Sequence, residues 1–105
     1  MLDELLILKK IKGGDIKAFE ELFRRYYFPL CCYAAGITGQ MEVAEEIVEE
    51  LFYVLWKERE RLQIFQSVKS YLYRATRNQS LQYCEHEEVR NRYRETVLTL
   101  SLIHI

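Results

Sequence analysis

Residues 42–62, EVAEEIVEELFYVLWKERERL, decide the fold of this chain. Their apolar side chains recur every three or four positions, which predicts an amphipathic α-helix with one buried face. Residues 41–56 include five glutamates and no base, and the basic residues follow at the C-terminal end, where the helix dipole favours cations. The predicted inner stripe is Ala44, Ile47, Val48, Leu51 and Leu55, and the predicted outer face is Glu42, Glu45, Glu46, Glu49, Glu50 and Tyr53.

A basic and aromatic helix is predicted directly after the acidic one, in residues 67–85, SVKSYLYRATRNQSLQYCE. Ser67 is a favourable N-cap, because its hydroxyl can accept a hydrogen bond from a backbone N–H of the first turn. Residues 67–84 contain three bases and no acid. The predicted inner face is Val68, Leu72 and Ala75, and a second face carries Lys69, Tyr73, Thr76 and Arg77.

Two further helices are predicted upstream, over residues 2–12 and 16–35. Asp15 precedes the second of them and has the side chain of a good N-cap. Pro29 lies inside that helix and is expected to kink it. Glycines are expected to end the two helices, at positions 13–14, 36 and 39.

The composition fits one globular domain of the all-α class. The chain has 105 residues, 50% of them hydrophobic, and only four Gly and one Pro, which argues against disorder and against a turn-rich β fold. The predicted helices therefore indicate a compact bundle of three to four helices. The net charge is −1, so nucleic-acid binding would depend on a local basic patch.

Cysteine usage and hydropathy favour a cytoplasmic protein without membrane insertion. The three cysteines include the adjacent pair Cys31 and Cys32, which is a poor disulfide framework, so reduced thiols are the simpler interpretation. That pair lies among apolar helix residues and is expected to fill the core. No apolar run approaches the ~20 residues of a membrane-spanning helix.

The chain lacks the motifs of an enzyme. Gly13 and Gly14 are not followed by the Lys-Ser/Thr of a phosphate-binding loop. Cys84 and His86 are two candidate metal ligands, but a zinc site needs three or four. The glutamate cluster could in principle bind a divalent metal, although no His accompanies it as in di-iron bundles. We therefore expect no catalytic residue, no metal and no cofactor.

Three stretches of the chain, in order, carry a family resemblance. They are KGGDIKAFEELFRRYY at residues 12–27, VAEEIVEELFYVLWKER at 43–59 and VKSYLYRATRNQSLQY at 68–83. Over residues 5–84 the chain resembles domain 2 of the extracytoplasmic-function (ECF) sigma factors of bacterial RNA polymerase. The second stretch is similar to the polymerase-binding region 2.2, and the third is similar to regions 2.3 and 2.4, which read the promoter −10 element.

The resemblance implies a role for the acidic helix. Taken alone, a glutamate face is most simply a solvated face, although an exposed Tyr53 and Trp56 beside it would favour docking. In the family this helix binds the clamp-helix coiled coil of the polymerase β′ subunit. The family often has Gln where this chain has Glu49, which implies a contact that depends more on charge and salt. The residues that match the docking surface are Glu46, Glu49, Glu50 and Tyr53.

The resemblance also implies that the basic helix binds the −10 element, largely as the non-template single strand. Taken alone, it could equally be an ordinary amphipathic helix. Bases can contact phosphates and tyrosines can stack on exposed bases, as promoter opening requires. Asn78 matches a position that reads the −10 element, and residues 64–67 match the segment that lines the flipped-base pocket. The DNA-binding residues implied are Phe65, Lys69, Tyr71, Tyr73, Arg74, Arg77 and Asn78.

The two ends of the chain complete the expected organisation. Residues 1–95 are expected to form the region 2 domain, and residues 96–105 an apolar tail of uncertain origin. After residue 85 too little sequence remains for the helix-turn-helix of domain 4. Further expected partners are an anti-sigma factor and, for the isolated domain, a second copy in a homodimer. The alternative is a sigma-like interaction protein, a decoy or an anti-sigma-binding fragment, without promoter recognition.

Overall fold

Four α-helices and one short 3₁₀ helix form the described part of the chain. The computed structural model describes residues 3–64 and 67–103, with side chains up to residue 100. The 3₁₀ helix, Arg59–Arg61, lies between α3 and α4, and the described residues contain no strand. The predicted all-α class is therefore confirmed. The helices are α1 (Glu4–Lys12), α2 (Ile16–Thr38), α3 (Met41–Lys57) and α4 (Val68–Ile103).

Side-chain caps fix three of the helix starts. The Asp3 carboxylate accepts a hydrogen bond from the backbone N–H of Leu5 at 3.1 Å, at the start of α1. Asp15 accepts from two backbone N–H groups of α2, at 3.0 and 3.2 Å. The Ser67 hydroxyl accepts from the N–H of Ser70 at 3.2 Å. The predicted caps at Asp15 and Ser67 are present, because these short polar side chains satisfy N–H groups that the first helical turn leaves free.

Helix α2 is longer than predicted. It continues past Pro29 and Gly36 to Thr38, and only Gly39, with a φ of 76°, ends it. A glycine inside a helix costs about 1 kcal/mol relative to alanine. The packing of α2 against all three other helices offsets that cost.

The core forms where α3 and α4 pack against α2 and α1 covers one end. Phe52 is 2% exposed and packs edge-on against the rings of Phe19 and Phe23, at centroid distances of 6.1 and 5.0 Å. Of the predicted inner stripe of α3, Ala44, Val48 and Leu55 are buried, while Ile47 and Leu51 are half-buried and line the groove toward α4. Because α3 packs mainly on α2, its most buried row shifts to Ala44, Val48, Phe52 and Leu55.

The inner face of α4 includes a residue that was predicted to lie on the second face, with Lys69 and Arg77. Thr76 is 0% exposed and continues the row begun by Val68 and Leu72. Its hydroxyl donates to the carbonyl oxygen of Leu72 at 2.8 Å. Because this hydrogen bond satisfies the polar atom within the helix, the threonine can be buried like a small apolar residue.

The C-terminal half of α4 extends beyond the bundle. Ser80 is the last buried residue among the described side chains. A helix of 36 residues is about 54 Å long, and the longest dimension of the molecule is 65 Å. Residues 96–103 continue this helix without a break, and the domain boundary at residue 95 stays a prediction. The exposed apolar side chains of this part are Val89, Tyr93, Val97, Leu98 and Leu100.

The adjacent cysteines of α2 have different environments. Cys31 is 2% exposed, as expected of a core residue, and burial raises the pKa of its thiol. The prediction for Cys32 is wrong, because this residue is exposed. Neighbouring residues of an α-helix point about 100° apart, so the two cannot both face the same core.

A polar cluster fastens α1 to α2. The Tyr26 hydroxyl donates to the Glu4 carboxylate at 2.5 Å, and the Arg25 guanidinium donates to the same oxygen at 3.2 Å. Burial and the hydrogen bond to Glu4 raise the pKa of Tyr26 to about 12. The phenol is therefore held protonated well above its ordinary range.

We expect the stability of the domain to fall as pH rises between about 10 and 12. The raised pKa of Tyr26 means that the unfolded chain loses this proton first, so the stabilisation is complete below pH 10 and is lost above it. Tyr26→Phe should flatten this alkaline decline. It should also lower the free energy of unfolding at pH 7 by about 1.5–3 kcal/mol, because the bond to the carboxylate is lost. Urea unfolding at a series of pH values measures both the alkaline decline and the free energy of unfolding at pH 7, with Tyr83→Phe as the control. An unchanged alkaline decline in Tyr26→Phe would contradict the raised pKa of Tyr26.

Candidate nucleic-acid and protein interface

The acidic face of α3 points to solvent. Glu46, Glu49 and Glu50 are exposed, and Tyr53 is 61% exposed on the same helix. The Lys57 ammonium lies 6.0 Å from the centroid of the Tyr53 ring. All four residues predicted to bind the polymerase are thus accessible, and three of them are negatively charged.

A tyrosine of α2 holds one of these glutamates in place. The Tyr27 hydroxyl donates a hydrogen bond to Glu49 Oε1 at 3.2 Å. The Tyr27 ring stacks on Phe23 at a centroid distance of 4.7 Å, so the donor is itself fixed by packing. Burial first, and then the neighbouring Cys31 and Glu49, raise the pKa of Tyr27, which keeps it a donor. The sequence patterns did not indicate this contact, because it joins residues of two different helices that are 22 positions apart in the sequence.

Trp56 does not belong to the exposed aromatic surface that was predicted beside the acids. It is half-buried, with its ring 5.1 Å from that of Phe19. The Arg59 guanidinium covers it at 4.3 Å and donates to its backbone carbonyl at 2.9 Å. The ring therefore anchors the 3₁₀ segment to α2, and Tyr53 is the aromatic residue that the acidic face exposes.

The basic face of α4 is equally accessible. Lys69, Arg74, Arg77 and Asn78 are exposed, and Tyr71 is 37% exposed. Within residues 3–64 and 67–100, none of the three cations forms a salt bridge with a carboxylate. Their charge is therefore available to an external anion.

Two of the predicted DNA-binding residues, Tyr73 and Phe65, are not among the exposed residues of the basic face. Tyr73 is half-buried and packs against Tyr33 at a centroid distance of 5.1 Å, with the Lys69 ammonium 6.0 Å from its ring centroid. Only part of its ring is accessible for stacking. Phe65 lies outside the described residues. The roles of both stay predictions.

A groove lies between the acidic face of α3 and the side of α4 that carries Asn78. This groove has a volume of about 630 Å³. Glu46 and Glu50 line its α3 wall, and Asn78 and Gln79 line its α4 wall. The arrangement brings predicted polymerase-binding residues next to the predicted −10 reader. The remaining lining residues are Ile47, Leu51, Val54 and Ala75.

The described residues show neither a metal site nor a membrane span. No three His, Cys, Asp or Glu side chains among them are grouped so that they could hold a metal ion. Of the helices described, none is both long and apolar enough to cross a bilayer.

The protein-family description Sigma-70 region 2 matches residues 22–89, which span most of α2, all of α3 and the charged face of α4. The chain belongs to the sigma-70 region 2 family. Region 2 is a non-enzymatic domain of transcription initiation factors that acts in promoter −10 recognition together with RNA polymerase. The two charged faces therefore lie in the part of the chain that defines the family.

A solved region 2 structure has the same fold. It is described as the NMR structure of the complex formed by an engineered region 2 of sigmaE in complex with GTAAAA. The TM-score is 0.71 at 21% sequence identity, over 85% of this chain and 93% of that chain. No curated protein matched this sequence. The structural likeness confirms the predicted region 2 bundle.

Proposed function

We propose that this domain is the region 2 of an ECF sigma factor, which binds the β′ clamp helices through α3 and the −10 element through α4. The observation that carries the proposal is the separation of charge between two neighbouring exposed helix faces. The α3 face contributes Glu46, Glu49 and Glu50, while the basic face of α4 carries no acid in residues 67–84. Such a pair of faces suits one protein partner and one polyanion, both in the cytoplasm.

The polymerase contact is supported by the geometry of α3. Glu49 is positioned by Tyr27, and Tyr53 adds an exposed ring of the type enriched at protein interfaces. An acidic surface of this kind favours a basic partner and accelerates its association at low salt. We propose that Glu46, Glu49, Glu50 and Tyr53 contact the clamp helices.

The DNA contact is supported by the cations of α4. Lys69, Arg74 and Arg77 are free to bind phosphates, and Tyr71 presents part of its ring to a base. Asn78 lies at the groove between α3 and α4 and has both a donor and an acceptor for a base edge. The related engineered region 2 was solved with GTAAAA, which supports a similar ligand class here.

Replacing the two central residues of the α4 face should weaken binding in different ways. Asn78→Ala should lose about 1–3 kcal/mol for a cognate −10 strand and little for a scrambled one, because it removes a base contact. Arg77→Ala should weaken both strands and lower the salt dependence, log Kd against log salt, by ~0.7, because it removes one phosphate contact. Fluorescence anisotropy with non-template −10 oligonucleotides, with and without clamp helices, measures both effects.

Arg94→Ala is the matched control for Arg77→Ala. Arg94 is an exposed arginine of the same helix, beyond the residues that match the family. It should leave DNA affinity unchanged. If the wild-type domain binds no oligonucleotide even with clamp helices present, the promoter-binding proposal is wrong for this chain.

A wild-type domain that binds no oligonucleotide would favour a second function. The chain would then be a sigma-like interaction protein that engages an anti-sigma factor or a second copy of itself. The observation on its side is the exposed row of apolar side chains on the C-terminal half of α4, including Val89, Tyr93 and Val97. Exposed apolar surface of this kind often marks a protein interface. Sedimentation of the domain alone distinguishes the homodimer from a monomer that awaits another partner.

A further inference from the structure

One row of side chains connects the groove between α3 and α4 with the C-terminal half of α4. Ala75 and Gln79 line the groove from the α4 side. From Gln79 the row continues in steps of three or four residues, which keep to one face of an α-helix. The groove and this row, here called the α4 row, therefore form one continuous surface. Beyond the groove its members are Gln82, His86, Val89, Tyr93, Val97 and Leu100.

The end of the α4 row is apolar and has no core to cover it. Val89, Tyr93, Val97 and Leu100 are 63%, 71%, 42% and 51% exposed. Most of the stability of a helix in a protein comes from packing an apolar face, and surface salt bridges add little. The C-terminal half of α4 would therefore be stabilised by a partner along this row.

The groove offers an apolar surface for such side chains. On its α3 side, Ile47 and Leu51 are half-buried and Val54 is 42% exposed. Glu46 and Glu50 border this apolar surface. A segment that combines apolar side chains with positive charge is complementary to this lining.

The last described turns of α4 have this combination. Val97 and Leu100 are apolar, and the residues just before them include three arginines. However, α4 is one continuous helix from Val68 to Ile103. At a rise of 1.5 Å per residue, Leu100 lies about 38 Å along the axis from Ala75, so the tail cannot fold back into its own groove. Within this protein, only a second copy can supply the segment.

The order of charges in α4 favours an antiparallel pair of copies. Two parallel helices would place like charges side by side, whereas two antiparallel helices place the acidic segment of each beside the basic segment of the other. Only the antiparallel arrangement also brings each tail to the groove of the other copy. The acids are Glu85, Glu87 and Glu88, and the bases are Arg90, Arg92 and Arg94.

The apolar contacts and the charges give nearly the same register. If Leu100 of one copy lies beside Ala75 of the other, the two-fold axis passes between residues 87 and 88. The sequence changes from acidic to basic next to that point, between Glu88 and Arg90. The surface is thus self-complementary about a two-fold axis, which closes as a dimer and leaves no surface for further copies.

We propose that two copies of this chain pair antiparallel along the α4 row, with Val97 and Leu100 of each copy in the groove of the other. The pair covers Asn78, Glu46 and Glu50, so it excludes both ligands of the proposed function. The pairing itself does not depend on that function. Its inhibitory effect rests on the proposed function, because the covered residues are those assigned to polymerase and DNA.

Leu100→Asp tests the tail, with Leu98→Asp as the matched control. Leu98 is 64% exposed and points about 160° away from Leu100 around the helix, off the α4 row. Leu100→Asp should weaken dimerisation at least about tenfold, because each copy would bury an unpaired charge, and Leu98→Asp should change it less than twofold. Sedimentation over a range of concentrations measures both, and circular dichroism checks that helicity is retained. Equal losses in the two variants would overturn the proposal.

Val54→Asp tests the groove, since Val54 belongs to α3 and not to the paired helix. It should weaken dimerisation as Leu100→Asp does, whereas Tyr53→Asp, on the exposed acidic face, should leave the dimer intact. If Val54→Asp pairs as tightly as the wild type, the tail does not enter the groove.

A spin label at Thr99→Cys tests the direction of the pair. The exposed Cys32 and the partly exposed Cys84 are replaced by serine, while Cys31 is buried and stays. From the helical rise, two labels in the antiparallel dimer should be about 35 Å apart along the axis. In a parallel dimer they would be separated only by the helix-to-helix distance of about 10 Å. Double electron–electron resonance measures the distance, and the short value would refute the antiparallel arrangement.

Clamp helices should compete with the pairing. Where about two thirds of the wild-type chain is dimeric, its apparent affinity for clamp helices should be about threefold weaker than that of Leu100→Asp. Equal affinities at that concentration would refute the inhibitory effect. If the wild type is monomeric at every concentration yet binds clamp helices, the pairing is refuted and the proposed function stands. If the dimer forms but neither protein binds clamp helices or DNA, the proposed function is refuted and the pairing stands.

Discussion

Glu46→Lys is expected to abolish binding of the domain to isolated β′ clamp helices. Glu46 is exposed in the middle of the acidic face, and a lysine there places like charges opposite each other, which costs several kcal/mol at a complementary interface. We expect a loss of at least about a hundredfold in affinity, since every 1.4 kcal/mol is a factor of ten. Isothermal titration calorimetry at low salt measures it.

The control for this charge reversal is Glu95→Lys. Glu95 is an exposed glutamate in the part of α4 beyond the bundle, so the same change of net charge should leave clamp-helix affinity within about twofold. Both variants should keep the wild-type helical content, because neither residue is buried. An unchanged affinity of Glu46→Lys would remove the acidic face of α3 from the polymerase interface.

Phe52→Ala is expected to have the largest effect on stability. The side chain is 2% exposed and lies between α2 and α3, in edge contact with Phe19 and Phe23. Removing a buried phenylalanine costs about 3–5 kcal/mol, and a small domain has only about 5–15 kcal/mol in total. The free energy of unfolding should fall by that amount, as measured by urea denaturation followed by circular dichroism.

Its neighbour Tyr53 supplies the control. Tyr53→Ala removes an aromatic ring of similar size from a site that is 61% exposed, so the free energy of unfolding should change by no more than about 0.5 kcal/mol. Tyr53→Ala should instead weaken clamp-helix binding. If the two variants unfold at the same urea concentration, the assignment of inner and outer faces on α3 is wrong.

Helical periodicity predicted the bundle well, and it failed where burial depends on how helices are rotated against each other. The caps at Asp15 and Ser67 are local features, so the sequence indicates them directly. The burial of Thr76 instead depends on its hydrogen bond within the helix and on the packing of α4. The continuation of α4 to Ile103 could not be predicted from an apolar face, because that segment has no core to face.

The charged faces were predictable because the order of charges is visible in the sequence. The contacts that their residues make with other helices were not predictable. Nothing in the spacing of Glu49 and Tyr27 indicates that the tyrosine hydroxyl donates a hydrogen bond to the glutamate. Trp56 was misassigned for the same reason, since its partner Phe19 belongs to another helix.

The shared groove between α3 and α4 has a thermodynamic consequence. Under the proposed function, the polymerase contacts Glu46 and Glu50 on one wall and DNA contacts Asn78 on the other, so we expect the two ligands to affect each other's binding. In the unoccupied domain the carboxylates oppose the approach of DNA phosphates, and a cationic partner on α3 neutralises that field. By linkage, whatever factor polymerase docking adds to DNA affinity, DNA adds to polymerase affinity. Under the proposed function, polymerase binding and DNA binding therefore strengthen each other to the same degree.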